Sequence, residues 1–122
     1  MAVKVLVVDD SSVMRKMITR SLRQTGLDLS VTDEAGNGLE GLEVLQGKEV
    51  DLILCDWNMP EMNGLEFIKE ARKTYKTPIV MLTTESSQDK VVEAMEAGAD
   101  GYVTKPFTPE KLGEKLGLIL GI

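Results

Sequence analysis

The 122-residue sequence contains no histidine, and this absence excludes several kinds of functional site. A Ser-His-Asp or Cys-His catalytic group cannot be assembled, and no metal ion can be held by an imidazole. A metal bound by this chain would therefore be a hard cation held by oxygen atoms.

The sequence has only one cysteine, so no disulfide can form within the chain. Cys55 lies in the apolar run Leu52-Ile53-Leu54-Cys55, a setting typical of a buried thiol. We expect it to be a reduced thiol in a cytoplasmic protein.

Basic residues are in the minority, at 14 Lys and Arg against 20 Asp and Glu, for a net charge of −6. Direct nucleic-acid binding is not expected, because it needs a basic surface to displace counterions. No apolar run approaches the roughly 18–20 residues of a membrane span, and the N-terminus lacks the layout of a signal peptide. We therefore expect no membrane insertion.

Apolar and amphipathic segments alternate along the chain. Apolar runs rich in β-branched residues predict strands, segments with a 3.6-residue period predict helices, and Ser, Thr and Gly supply helix starts and stops. Strands are predicted over 3–8, 29–35, 51–55, 79–82 and 101–104, and helices over about 12–25, 38–45, 65–73, 87–97 and 109–120. This alternation predicts an α/β fold, (βα)5, with a doubly wound five-stranded parallel sheet.

Chemically active side chains follow the predicted strands at their carboxyl ends. Asp9 and Asp10 follow the first strand, Asp56 the third, Thr83 the fourth and Lys105 the fifth. In an open parallel sheet these ends share one edge, where ligands bind. Three converging carboxylates repel one another, and one lysine cannot offset them, so the pattern predicts a Mg²⁺ site suited to phosphate chemistry.

Asp56 is the best candidate for a carboxylate nucleophile that forms an aspartyl phosphate. It stands alone at the end of its strand, beside a loop stiffened by Pro60, whereas Asp9 and Asp10 are adjacent to each other. The backbone carbonyl of Asn58 could contribute a further oxygen to the metal.

Five motifs together resemble the receiver domain of two-component response regulators, most narrowly its single-domain chemotaxis members. They are VVDD at 7–10, DWNMP at 56–60, MNG at 62–64, MLTT at 81–84 and AGADGYVTKPF at 97–107. The resemblance covers essentially the whole chain, and it implies a flavodoxin-like sheet of strand order 2-1-3-4-5. We expect a single receiver domain over 1–122, with no effector domain.

The resemblance implies that Asp56 accepts a phosphoryl group from a phosphohistidine of a sensor histidine kinase or phosphotransfer protein. The Mg²⁺ ligands implied are Asp10, Asp56 and the backbone carbonyl of Asn58, with Asp9 acting largely through water. One Mg²⁺ ion is expected, and Mn²⁺ could replace it. The protein would then be no enzyme beyond its own phosphorylation and dephosphorylation.

The resemblance also implies a conformational switch. Lys105 would contact the phosphoryl group, and its bond to Pro106 would be cis. Thr83 would turn its hydroxyl onto the phosphoryl group, and Tyr102 would move into the space that Thr83 leaves.

Other residues would surround the phosphoryl site. Thr84 would line the entrance to Asp56, while Asn58 and Glu85 would influence the lifetime of the phosphate. A downstream protein, with a chemotaxis or motility output, would bind the face formed by the fourth helix, fifth strand and fifth helix, where Lys115 lies.

Alternative interpretations stay open on the sequence alone. Asp9 and Asp10 could form only a turn and a helix cap, Thr83 only a turn, and Tyr102 part of the core. A magnesium-dependent phosphohydrolase of a small molecule would need a D-x-D arrangement and a substrate cap, and a flavodoxin-like cofactor protein would need a phosphate-binding loop after the first strand. Neither set of features is visible.

Overall fold

A computed structural model describes residues 2–122 and shows five parallel strands alternating with five helices. The strands are β1 (Val3–Val8), β2 (Leu29–Ala35), β3 (Leu52–Cys55), β4 (Ile79–Thr83) and β5 (Gly101–Thr104). The helices are α1 (Ser12–Gln24), α2 (Gly38–Gly47), α3 (Gly64–Ala71), α4 (Gln88–Ala97) and α5 (Pro109–Leu120). The sheet has the order β2-β1-β3-β4-β5, which confirms the predicted fold class and strand order.

The sheet is covered on both faces because successive residues of its central strands point to opposite sides. On one side Leu6 and Ile53 pack with side chains from α2, α3 and α4. On the other side Val5 and Leu54 pack with side chains from α1 and α5. Strands buried on both faces are continuously apolar, as the sequence shows. In the central strands β3 and β4, polar side chains are therefore found only at or just beyond the carboxyl ends, whereas the edge strand β2 carries polar residues along its length.

Each helix begins with a capping side chain that accepts a hydrogen bond from a backbone N–H in the first turn. The capping residues are Ser11, Asn37, Asn63, Ser87 and Thr108. Because every helix follows a strand, these caps lie beyond the carboxyl ends of the strands. They fix the loops that carry the candidate functional residues.

Helix α3 ends at Ala71, earlier than the sequence predicts, and Arg72 is its C-cap residue. The Arg72 side chain ties this end of the helix to neighbouring segments. Its guanidinium donates to the carbonyls of Thr77 (2.7 Å) and Gly98 (2.9 Å), and it forms an ion pair with Asp100 (2.7 Å). The other boundaries differ by at most two residues: α2 ends at Gly47, β3 begins at Leu52 and β4 ends at Thr83. Within residues 2–122, no helix combines the length and the apolar character needed to cross a bilayer.

Gly64, the first residue of α3, lies directly against the loop that begins at Asp56. A Cβ atom at this position would overlap the carbonyl oxygen of Asp56 and lie 3.0 Å from the Met81 methyl group. Only glycine lets the backbone of α3 approach the end of β3 so closely.

We expect Gly64→Ala to lower the free energy of unfolding by about 1–3 kcal/mol, because backbone must move to accept the methyl group. Gly47→Ala is the matched control: no atom lies within 4 Å of its Cβ position, in the last turn of α2. That control should be neutral or raise stability by up to about 1 kcal/mol. Urea unfolding of both variants measures the difference, and equal stabilities would contradict the close approach.

Candidate functional site

Three carboxylates meet at one edge of the sheet, which we call the acidic edge: Asp9, Asp10 and Asp56. Each offers an oxygen, and these oxygens all lie within 4.8 Å of one another. The backbone sets this convergence, because Val8 of β1 pairs with Cys55 of β3. The residues that follow the two strands therefore lie side by side, and the N–H of Asp56 donates to the carbonyl of Val8 (3.0 Å).

The carboxylates differ in exposure and in hydrogen bonding. Asp9 is buried, with 2% of its surface exposed, and its Oδ1 accepts a hydrogen bond from the N–H of Ser11 (2.9 Å). Asp56 is half-buried, and its Oδ1 accepts from the N–H of Trp57 (2.7 Å). Asp10 is exposed. The acidic edge is thus anchored on its inner side and open to solvent at Asp10.

Lys105 places a cation between two of these carboxylates. Its Nζ lies 2.9 Å from Oδ2 of Asp9 and 3.2 Å from Oδ2 of Asp56, and only 9% of the side chain is exposed. Among residues 2–122, Lys105 alone forms an ion pair with the acidic edge. The Lys105-Pro106 peptide bond is cis, as the resemblance implies.

The acidic edge fits a hard divalent cation. Three carboxylates against one ammonium leave two negative charges, and all the available ligand atoms are oxygens. Mg²⁺ prefers a few carboxylates together with retained waters, and the exposed position of Asp10 leaves room for both. The residues present therefore fit the ion that the sequence predicts.

Glu85, in the loop between β4 and α4, joins three of the other predicted residues. Its N–H donates to Oγ1 of the buried Thr83 (3.2 Å), and its Oε2 accepts from Nδ2 of Asn58 (3.3 Å). The hydroxyl of Tyr102 donates to its backbone carbonyl. Burial, and then the negative charges of Glu85 and Asp56, raise the pKa of Tyr102, so the hydroxyl stays protonated and able to donate.

Thr84 directly precedes Glu85 and is exposed. It lines a largely apolar cavity of about 250 Å³ together with Met14, Met17 and Lys105. Thr84 thus shares this cavity with Lys105 and with two residues of α1.

Cys55 is a fully buried free thiol, as predicted, and its Sγ–H donates to the carbonyl of Asp56 (3.2 Å). Desolvation, and then the nearby charges of Asp56 and Asp9, raise the pKa of the thiol well above its ordinary value. Cys55 therefore stays protonated and acts as a small apolar residue under the acidic edge.

Sequence reasoning missed a contact between Lys90 and Trp57. Trp57 is 4% exposed, and the Lys90 ammonium lies 4.6 Å from the centroid of its ring. No spacing in the sequence signals this contact, because it joins the first turn of α4 to the loop after β3.

Comparison with known proteins identifies the family. Residues 5–117 match the family model of the response regulator receiver domain. The chain belongs to this family of signalling domains. Receiver domains bind Mg²⁺ through an acidic pocket and are generally not classical enzymes.

The relatives narrow the class to receivers of the CheY type. A chemotaxis protein CheY homolog of Campylobacter jejuni is 47% identical, over 97% of this chain and 92% of its own. Chemotaxis protein CheY1 of Helicobacter pylori is 43% identical, over 97% of both chains. Such domains generally interact with histidine kinases and downstream targets.

Solved structures agree with this assignment. Vibrio cholerae CheY4 superposes with a TM-score of 0.86 at 42% identity, over 98% of this chain and all of that one. The response regulator domain of Thermotoga maritima CheB gives a TM-score of 0.90 at 28% identity, over 100% of this chain and 98% of that one.

We expect Mg²⁺ to stabilise the protein against unfolding through the acidic edge. At ten times the dissociation constant, binding adds about 1.4 kcal/mol to the free energy of unfolding. Asp10→Asn should lose most of this gain, because it removes the exposed carboxylate. Thermal unfolding in the presence of Mg²⁺ and in the presence of EDTA measures this gain in stability. Asp89→Asn on α4 is the control and should keep the gain. An undiminished Mg²⁺ effect in Asp10→Asn would contradict the metal site.

Proposed function

We propose that this protein is a phosphorylation-activated switch of a two-component pathway, with Asp56 as its phosphoacceptor. The observation that carries this proposal is the half-buried Asp56 carboxylate, which lies beside Lys105 at 3.2 Å and within 4.8 Å of two further carboxylate oxygens. A carboxylate is a competent nucleophile toward phosphorus when nearby cations offset the charge of the phosphate.

The transfer step uses the phosphohistidine donor that the resemblance to receiver domains implies, and this chain has no histidine of its own. An oxygen of the Asp56 carboxylate attacks phosphorus, the P–N bond of the donor breaks, and the leaving imidazole takes up a proton. Hydrolysis later returns the carboxylate and inorganic phosphate. The donor is a sensor histidine kinase or a phosphotransfer protein.

Charge stabilisation comes from residues that already surround Asp56. Lys105 contacts a phosphoryl oxygen and offsets its charge. Asp10, Asp56 and the backbone carbonyl of Asn58 would hold one Mg²⁺, for which Mn²⁺ could substitute, with Asp9 acting through water. When bound, the ion would supply positive charge to offset the phosphoryl oxygens.

The switch begins at Thr83. Its hydroxyl oxygen now accepts from the N–H of Glu85, and its proton becomes a donor to the phosphoryl group when the side chain turns. The hydroxyl of Tyr102 donates to the carbonyl of Glu85, in the loop between β4 and α4. Movement of this loop therefore changes the position of Tyr102. Thr84, which lines a cavity together with Lys105, would line the entrance to Asp56.

The energies are sufficient for a switch. Moving an equilibrium from 1:99 to 99:1 needs about 5.5 kcal/mol. Charge-assisted hydrogen bonds contribute roughly 1.5–3 kcal/mol each. Two or three new contacts, from Lys105, Thr83 and a backbone N–H, are enough, whereas one is not.

The output surface lies on α4, β5 and α5. On the β5 and α5 part of this surface, a cavity of about 400 Å³ has Tyr102, Phe107, Lys111, Lys115 and Leu118 in its lining. Movement of Tyr102 would reshape this surface for a downstream protein. The chemotaxis names of the relatives support a chemotaxis or motility output.

Asn58 and Glu85 tune the lifetime of the phosphate. Their hydrogen bond of 3.3 Å spans the loops that follow β3 and β4. The two side chains therefore limit how water approaches a phosphorylated Asp56. None of the comparisons supports the alternative of a phosphohydrolase acting on a small molecule.

We expect acetyl phosphate with Mg²⁺ to add one phosphate to the wild-type protein as an acid-stable, base-labile adduct. Asp56→Asn should not be labelled, because an amide is not a nucleophile toward phosphorus. Intact-mass measurement with peptide mapping checks both, and Asp89→Asn controls for loss of an unrelated carboxylate. Equal labelling of Asp56→Asn would show the assignment to be wrong.

We expect Thr83→Ala to be labelled but to switch poorly. Losing one charge-assisted hydrogen bond weakens the switching equilibrium by about 10- to 150-fold. NMR of the Tyr102 ring, before and after labelling, should show a large shift in the wild type and in the control Thr74→Ala. A full shift in Thr83→Ala would remove Thr83 from the mechanism.

A further inference from the structure

The contact between Lys90 and Trp57 joins α4 to the residue that follows the proposed phosphoacceptor. The Lys90 ammonium lies 4.6 Å from the centroid of the indole, within the range of a cation–π interaction. Trp57 is the only tryptophan in the chain and is 4% exposed. The ring is therefore a rigid platform that Lys90 covers.

The Trp57 end of this contact is anchored to the site. The N–H of Trp57 donates to Oδ1 of Asp56 (2.7 Å), and its carbonyl accepts from the N–H of Gly64 (2.8 Å). Both backbone groups of Trp57 are thus held, so the indole keeps a fixed position relative to Asp56.

The Lys90 end is anchored to the loop that carries the switch. The N–H of Lys90 donates to Oγ of the cap residue Ser87 (3.3 Å), which lies two residues after Glu85. Glu85 in turn is bound to Asn58 and Tyr102. The β4–α4 segment is therefore attached at two points to the residues after Asp56, through Asn58–Glu85 and Trp57–Lys90.

We propose that Lys90 is a positioning residue that holds the β4–α4 segment closed over the phosphorylation site by its cation–π contact with Trp57. This inference rests on the proposed role of Asp56. With the contact in place, Glu85 stays beside Asn58 and limits access to the carboxylate. Loss of the contact lets the segment open more often, which exposes Asp56 to phosphodonors and water.

The test compares Lys90→Met, which keeps the aliphatic stem and removes the charge, with Lys90→Arg, which keeps the cation. Lys69→Met, an exposed lysine on α3, is the matched control for charge. The readouts are the emission of Trp57, the rate of labelling by acetyl phosphate with Mg²⁺, and the rate of phosphate loss.

We expect Lys90→Met to change Trp57 emission and to raise both rates by about two- to five-fold, the range of one cation–π contact. Lys90→Arg should restore all three to wild-type values, and Lys69→Met should leave them unchanged.

Two outcomes would overturn the inference. One is rates in Lys90→Met equal to those of Lys69→Met, even with a change in Trp57 emission, because Lys90 would then act only in packing. The other is failure of Lys90→Arg to restore the rates. Failure of the proposed function is distinguishable, because it would appear as absence of label on Asp56 in the wild type.

Discussion

Three carboxylates are held together at the acidic edge, and the single ammonium group of Lys105 does not balance their charge. The other features of the site depend on this imbalance of charge. Two unit charges 4 Å apart repel by roughly 4 kcal/mol at an effective dielectric of about 20. Lys105 offsets part of this repulsion by lying between Asp9 and Asp56, and Asp10 relieves part by staying in solvent. The remaining negative charge is what makes the acidic edge a receptor for a divalent cation and for chemistry on phosphate.

The sheet holds this unfavourable arrangement in place, and one loop transmits its changes. Apolar strands packed on both faces leave the acidic edge no freedom to spread apart. Glu85 in this loop is hydrogen-bonded to Thr83, Asn58 and Tyr102, and the Lys90–Trp57 contact holds the start of α4. Because the site is rigid, a change of charge at Asp56 can move the loop between β4 and α4. Through Tyr102, that movement can change the surface formed by α4, β5 and α5.

The acidic edge and Lys105 could be predicted because topology alone brings the ends of parallel strands to one edge. The partners of Thr83 and Lys90 could not, since they depend on the path of the β4–α4 loop and on how α4 is rotated against the sheet. The contact between the Arg72 side chain and Asp100, 28 residues away, could not be predicted either, because local helix propensity does not depend on it.

The most direct test of the account is anomalous scattering from a crystal of this protein grown with Mn²⁺. We predict one strong peak at the acidic edge, from an ion bound by carboxylate oxygens of Asp10 and Asp56, with Lys105 beside Asp56. Asp10 and Asp56 turned toward separate surroundings, with no ion between them in saturating Mn²⁺, would contradict it.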